Sequence, residues 1–435
     1  MLQQLLPFCI LMGAFLALLA LGVPVFFAMG LASLSFILAM GGQVPFNVLA
    51  STLIQGIDSF AFLAIPFFFL AGELMNTGGI TRRLLAFAAA LVGHIRGGLS
   101  HVAIIASMVF SGVSGSAVAD ASAIGGALIP AMKAQKYPAE YAAAVVAAAS
   151  TMGPVIPPSI AFVVYALVTE TSVGELFLAG AIPGVLMGVW LLAAASVIAR
   201  RRDFPFSPRA TIARVFSTLR DAIFALMMPV IILGGIVAGV VTPTEAGVIA
   251  VVYAAVVGLF VYREMRLADL WRVVCESTIS SGLILLMVAA SGTFSWLVAN
   301  MAIGDTLVTF FTSLTDSRWV MLMVINVFFL IWGLALEPPV ALVTMVPLLV
   351  PLANAYHIDL IHLGVVVVLN LMIGQLTPPS GVVTFLTAQI AGAPLAAVFR
   401  EATPFMLALI VLLLLITYVP AIALWLPALL MGGHG

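Results

Sequence analysis

The sequence predicts an all-α polytopic membrane protein, organised as an inverted repeat with two re-entrant helical hairpins and two broken helices. Three observations lead there. Of 435 residues, 64% are apolar and only 8% charged, against roughly 25% charged in a soluble domain. So few charges cannot cover a water-facing surface, and lipid must surround most of the chain. A seven-residue word occurs twice, 221 residues apart: Gly153-Pro154-Val155-Ile156-Pro157-Pro158-Ser159 and Gly374-Gln375-Leu376-Thr377-Pro378-Pro379-Ser380. Finally, one path through the bilayer gathers nearly all basic residues on one side.

At about 20 residues per crossing, hydropathy places spans near 4–22, 23–41, 61–78, 139–168, 176–199, 222–241, 245–262, 277–299, 359–391 and 403–426. The first stretch, Met1 to Gly22, lacks a basic n-region and a cleavage site and reads as a retained span. Segments 46–58 and 264–276 are partly polar, occupy matching places in the two halves, and read as interfacial arm helices. The apolar stretches 99–132 and 319–355 are each too long for one crossing and are interrupted by small residues or proline. They read as re-entrant hairpins, because non-helical backbone is tolerated at membrane depth where it lines a protein-enclosed cavity. Arg200 to Arg220, with six arginines and two prolines, reads as a cytoplasmic linker able to rest on anionic lipid. The domains are then a first repeat, 1–200, a basic linker, 201–221, and a second repeat, 222–435.

Charge supports this path. With the N-terminus outside and both hairpins re-entrant, 15 of the 16 basic residues fall inside and only Arg318 outside, as the positive-inside rule requires. Turning either hairpin into a true crossing scatters them. Prolines strengthen the repeat: Pro130 with Pro351 and Pro183 with Pro404 share the 221 offset, and Pro24 with Pro243 stands at 219. The two copies run in opposite directions, and inverted repeats place substrate and ion sites at their interface near the midplane.

The chemistry lies in the breaks and turns. Pro157-Pro158 and Pro378-Pro379 should split their helices, with proline opening the second half. The freed carbonyls of Gly153–Ile156 and Gly374–Thr377 can ligate a hard cation, and the following helix starts suit an anionic group. The first hairpin turn carries Ser111, Gly112, Ser114, Gly115, Ser116 and Asp120, oxygen ligands fit for sodium or a substrate carboxylate. The second carries Glu337-Pro338-Pro339, with Ser116 as the repeat partner of Glu337. A carboxylate at depth costs at least ~2.5 kcal/mol on the insertion scale, so Glu337 needs a cation or a proton unless it caps the second arm. Ser111, Asp120, Ser159 and Ser380 are the substrate candidates, Asp120 being alternatively a helix cap or a bond to the facing turn. Glu73 and Asn370 are the other polar residues inside spans; Glu73 is placed near the inner interface, and Asn370 is read as a backbone bonder. No basic residue lies well inside a span, so helix starts, hydroxyls and bound cations must hold an anion. That favours cation symport over anion uniport.

Other classes fit poorly. Gly112-Val113-Ser114-Gly115 matches the word of intramembrane serine proteases, but His94, His101, His357, His362 and His434 fall near span ends or in loops, so no base stands at that depth and no enzyme is expected. A passive channel does not need two broken helices in inverted halves. The net charge of −1 carries no basic, aromatic-interleaved patch for nucleic acid. Cys9 and Cys275 are too separated in context for a disulfide. No organic cofactor is expected.

The run Ile65-Pro66-Phe67-Phe68 through Gly72-Glu73-Leu74-Met75, then Ser111–Ser116 and Asp120, and the two Gly-x-x-x-Pro-Pro-Ser words, resembles the large M subunit of TRAP (tripartite ATP-independent periplasmic) transporters over essentially the whole chain. The resemblance implies an elevator fold, in which a scaffold holds a core of two hairpins and two broken helices. It implies sodium sites at Ser114, Gly115 and Ser116 with Gly153, Val155 and Pro157, and at Glu337 with Gly374, Thr377 and Pro378. It implies import of a small organic anion driven by sodium, with a separate small four-helix membrane subunit and a periplasmic substrate-binding protein as partners. The expected location is the bacterial inner membrane, N-terminus periplasmic. The nearest alternative is a stand-alone sodium/anion symporter of the same superfamily.

Overall fold

The computed structural model describes residues 2–40, 44–206, 208–300, 303–334, 336–379 and 381–432. Among these the chain is all-helical, with twenty α-helices and no strand. The first half runs α1 (Leu2–Ala20), α2 (Val25–Ala39), α3 (Asn47–Gln55), α4 (Ala64–Thr77), α5 (Ile80–Val92), α6 (Gly98–Ser114), α7 (Ala117–Ala134), α8 (Ala139–Ser150), α9 (Ile160–Thr169) and α10 (Val173–Arg201). The second half runs α11 (Ile212–Val237), α12 (Pro243–Val256), α13 (Leu267–Asn300), α14 (Ile303–Leu314), α15 (Arg318–Gly333), α16 (Pro338–Ala355), α17 (Leu360–Gly374), α18 (Val382–Ala391), α19 (Leu395–Tyr418) and α20 (Ala421–Met431).

Seven helical stretches are long and apolar enough to cross a membrane, among them α10, α11, α13 and α19. Large apolar side chains such as Phe27, Phe224, Val252, Leu286 and Val411 point outward, where only lipid can receive so many. The chain is an integral multi-pass membrane protein.

The broken helices form the centre. Every residue of α8 from Tyr141 to Ser150 and of α17 from Ile361 to Gly374 is buried. The halves exchange elements there: α9 packs against α16 and α17, while α18 packs against α7 and α8. Two hydrogen bonds join them, Tyr165 Oη to Leu360 O (2.8 Å) and Lys133 Nζ to Ala391 O (2.8 Å).

The structure differs from the sequence expectation at four places. The arm 264–276 is not a separate helix but the start of the 34-residue α13. Its counterpart α3 does stand apart, because the chain turns through Gly56 and a 3-10 turn, Phe60–Leu63, before α4. Helix α3 crosses α13 through small residues: Thr52 and Thr293 hydroxyls meet at 2.8 Å, and a β-carbon on Gly292 would lie 2.9 Å from the Gly56 Cα, the close approach that glycine permits. Helices α5 and α14, 13 and 12 residues long, had no counterpart in the hydropathy reading. At about 1.5 Å per residue neither can cross a bilayer, and both ends of α5 are tied to basic segments, through Arg82 and Arg83 to Glu264 and through Arg96 to Asp203. The span read at 403–426 is divided, since α19 stops at Tyr418 and Pro420 precedes α20.

Candidate functional site

In the first hairpin α6 ends at Ser114, and the chain turns at Gly115, whose φ of +61° glycine adopts without the β-carbon strain other residues meet. Ser116 is extended and caps α7, its hydroxyl accepting from Ala119 N at 3.4 Å. Asp120, fully buried in the first turn of α7, accepts hydrogen bonds from the hydroxyls of Ser111 (2.7 Å) and Ser114. Three of the predicted site residues therefore bond one another and lock the two arms at the tip.

The first break lies directly under this tip. A β-carbon on Gly153 would stand 2.9 Å from the Ser116 carbonyl carbon and 3.0 Å from Asp120 Oδ2. One on Gly115 would stand 2.7 Å from Pro158 O. Both glycines are thus required by backbone-to-backbone contact. The Pro157–Pro158 bond is cis, and α9 begins only at Ile160. The prolines therefore sit within the break and not, as expected, at the first turn of the second half-helix. Ser159 provides that start: its hydroxyl accepts from Phe162 N (3.1 Å) and donates to Pro154 O. Among the described residues no donor reaches the carbonyls of Gly153, Val155 or Pro157.

The second hairpin and break repeat the plan with different chemistry. Gly333 at the end of α15 lies flat on Gly374 at the end of α17, where a β-carbon on Gly374 would be 2.5 Å from the Gly333 carbonyl carbon. The Pro378–Pro379 bond is also cis, and Gly381, at φ +38°, precedes α18. Thr377 donates its hydroxyl to Ile373 O at 2.8 Å, leaving its lone pairs free. Glu337 holds the N-cap position of α16, yet its side chain makes no cap bond, and it is exposed. Ser380 lies outside the described residues.

A cavity of about 460 Å³ joins the two halves. Both tips line it, through Gly115 and Ser116 from one side and Glu337, Pro338 and Pro339 from the other, with Gln375 from the second break. Glu73 of α4, Ser122 of α7 and Ser280 of α13 form the remaining polar wall. Ser111, Asp120 and Ser159 are buried behind it, each already bonded. Asn370 also lies away from it, donating to Asn326 Oδ1 (2.7 Å) and Val366 O (2.8 Å).

The two tips have opposite polarity. Ala117 and Val118 open α7, and Ile160 and Ala161 open α9; all four line the cavity. First-turn amides have no intrahelical partner and favour an anion. Helix α16 opens with Pro338 and Pro339, which have no N–H, and carries the Glu337 carboxylate instead. The helix starts at the first tip and first break can receive an anion, and the carboxylate of the second tip a cation. Sequence reasoning missed Gln375, Ser122 and Ser280; Gln375 stands inside the repeated word, where its polar side chain replaced the Pro154 of the first copy, and that replacement was the available signal.

A family model described as "Tripartite ATP-independent periplasmic transporter, DctM component" matches residues 12–422. The chain belongs to this TRAP large-permease family. It is 42% identical to the C4-dicarboxylate TRAP transporter large permease protein DctM of Pseudomonas aeruginosa, over 87% of this chain and 89% of that protein. It is 39% identical to the sialic acid TRAP transporter large permease protein SiaM of Vibrio cholerae, over 96% and 97%. In fold it is similar to the Alcanivorax borkumensis YdaH transporter, with a TM-score of 0.59 and 15% identity over 92% of this chain and 98% of that one. A TRAP large permease is a transporter subunit and not an enzyme, and the family implies a membrane partner and a periplasmic binding protein.

Proposed function

We propose that this TRAP permease imports a small organic carboxylate together with sodium ions, the substrate being handed over by a periplasmic binding protein. The observation that carries this reading is the shared cavity, with amide-bearing helix starts at one tip, a free carboxylate at the other, and no Lys, Arg or His among its described lining residues. The substrate carboxylate sits at Ala117–Val118 and Ile160–Ala161. Sodium is held by Ser114, Gly115 and Ser116 with Gly153, Val155 and Pro157, and by Glu337 with Gly374, Thr377 and Pro378. Relatives named for C4-dicarboxylates and for sialic acid support the carboxylate class.

In this reading α6–α7 and α15–α16 are re-entrant hairpins that travel with α8–α9 and α17–α18 as one core, in an elevator motion against a scaffold containing α3, α4, α12 and α13. The protein lies in the inner membrane with a periplasmic N-terminus, beside a small four-helix subunit. Proteoliposomes holding both membrane subunits and loaded binding protein should take up substrate only under an inward sodium gradient. Equal uptake with potassium, or with a proton gradient alone, refutes sodium coupling. Uptake of free substrate by this chain alone marks the stand-alone symporter instead.

A further inference from the structure

We infer that Glu73 binds a monovalent cation on the α4 wall of the cavity, in addition to those held at the two hairpin tips. The inference rests on the transport-site reading above. Glu73 faces the cavity from a helix that packs on α12 and α13. Its neighbour Gly72 lets α4 approach the first tip, a β-carbon there falling 3.3 Å from Ser114 Cα. Among the described residues the Glu73 carboxylate makes no hydrogen bond or ion pair. The charges acting on it are Glu276 and Arg272, both on α13, and Arg272 already leans on Glu276 at 3.5 Å. No charged group of α5, α6, α9 or α12, the other helices against α4, acts on it.

A second group points the same way. Gln375 is 4% exposed, lines this cavity, and leaves its Oε1 without any partner among the described residues. An acceptor left bare in such a place calls for a donor or a cation. Charge balance makes the demand specific. Glu73 and Glu337 give the lining two carboxylates and no cationic side chain, and a bound monoanion makes three negative charges. Two sodium ions at the tips leave one uncompensated, which membrane depth penalises. The carboxylate is not part of the repeated pattern: the residue 221 positions on is Phe294, fully buried in α13. The cation is sodium or a proton, and Glu73 would hold it on a wall that the hairpins do not carry.

The test uses the purified chain in nanodiscs, wild type against Glu73→Gln. Sodium-22 binding is counted per chain, and the infrared band of a protonated carboxyl is recorded. Loss of one sodium ion per chain in the variant assigns sodium to Glu73. An unchanged sodium count with loss of a carboxyl band assigns a proton. A variant that keeps both the wild-type count and the wild-type band overturns the inference, and if Glu337→Gln still removes sodium the transport-site reading survives it. Wild type binding no sodium and showing no such band overturns both. Should Glu73→Gln not fold, Glu73→Asp decides: it should weaken the bound cation several-fold, and an unchanged affinity with an unchanged band refutes the site.

Discussion

Gly374→Ala should destabilise the protein and weaken its response to sodium. The added β-carbon would lie 2.5 Å from the Gly333 carbonyl carbon and 2.6 Å from its Cα and O. These are backbone atoms and cannot rotate away, so the second tip must retreat by about 1 Å to restore an ordinary contact of roughly 3.5 Å. Overpacking of this kind costs about 1–3 kcal/mol. Alanine at the end of α17 recovers at most about 1 kcal/mol of helix propensity, so the net loss reaches about 2 kcal/mol when the clash lies at the upper end of that range. The repeat-related Gly153→Ala, where the closest approach is 2.9 Å, should lose less. Thermal unfolding of nanodisc-embedded variants measures this order. Moving the tip also separates Glu337 from the break, so half-maximal uptake by Gly374→Ala should need several-fold more sodium. A Gly374→Ala protein that melts at or above wild type, with unchanged sodium dependence, refutes the backbone-contact argument.

Other substitutions test other parts of the site. Asp120→Ala strands two buried hydroxyl donors and loses two bonds to a carboxylate, each bond to a charged group contributing about 1.5–3 kcal/mol; a melting temperature within error of wild type would show that the tip is not held this way. Glu337→Gln should keep the fold, because the side chain makes no cap bond, yet reduce sodium-driven uptake at least tenfold, with Ser116→Ala less impaired; normal uptake by Glu337→Gln at limiting sodium removes it from the site. Phe204→Ala should lose about 3 kcal/mol, the lower end for a buried aromatic, since its ring lies 4.7 Å from Tyr137 and 4.8 Å from Tyr141; limited proteolysis should then cut near residues 202–211 faster than in wild type, and an unchanged rate counts against it.

The parts readable before the structure were those with a strong local cause. Gly115 and the proline pairs dictate turns by sterics alone, and the repeated word located both breaks. Helices α5 and α14 escaped because each is too short for a crossing and has its apolar residues on one face, a pattern a search for continuous apolar runs passes over. The unbroken α13 escaped because nothing in residues 264–276 says whether a polar start continues into the span; only its partner α3, with Gly56 and the turn after it, records a stop. Asp120 read as an open choice between ligand and strut, since the two serines that bond it are six and nine residues away and meet it only when the hairpin closes. Glu73 and Gln375 converge from elements 302 positions apart in sequence, a juxtaposition that no local pattern encodes.

The residues just after α10 are fastened to the core by contacts from both halves. Phe204 is wedged against Tyr137 and Tyr141, Pro205 O accepts from Gly97 N (3.0 Å), and Arg202 pairs with Glu401 at 2.8 Å. Helix α11 begins at Ile212 and packs on α5 and α12. The covalent join between the halves is thus shortened to residues 206–211, whose fully extended reach is roughly 20 Å. That length acts as a leash. In the elevator motion proposed above, any displacement of the fastened end relative to α11 is capped by it, and inserting or deleting residues there should lengthen or shorten that motion without touching either tip.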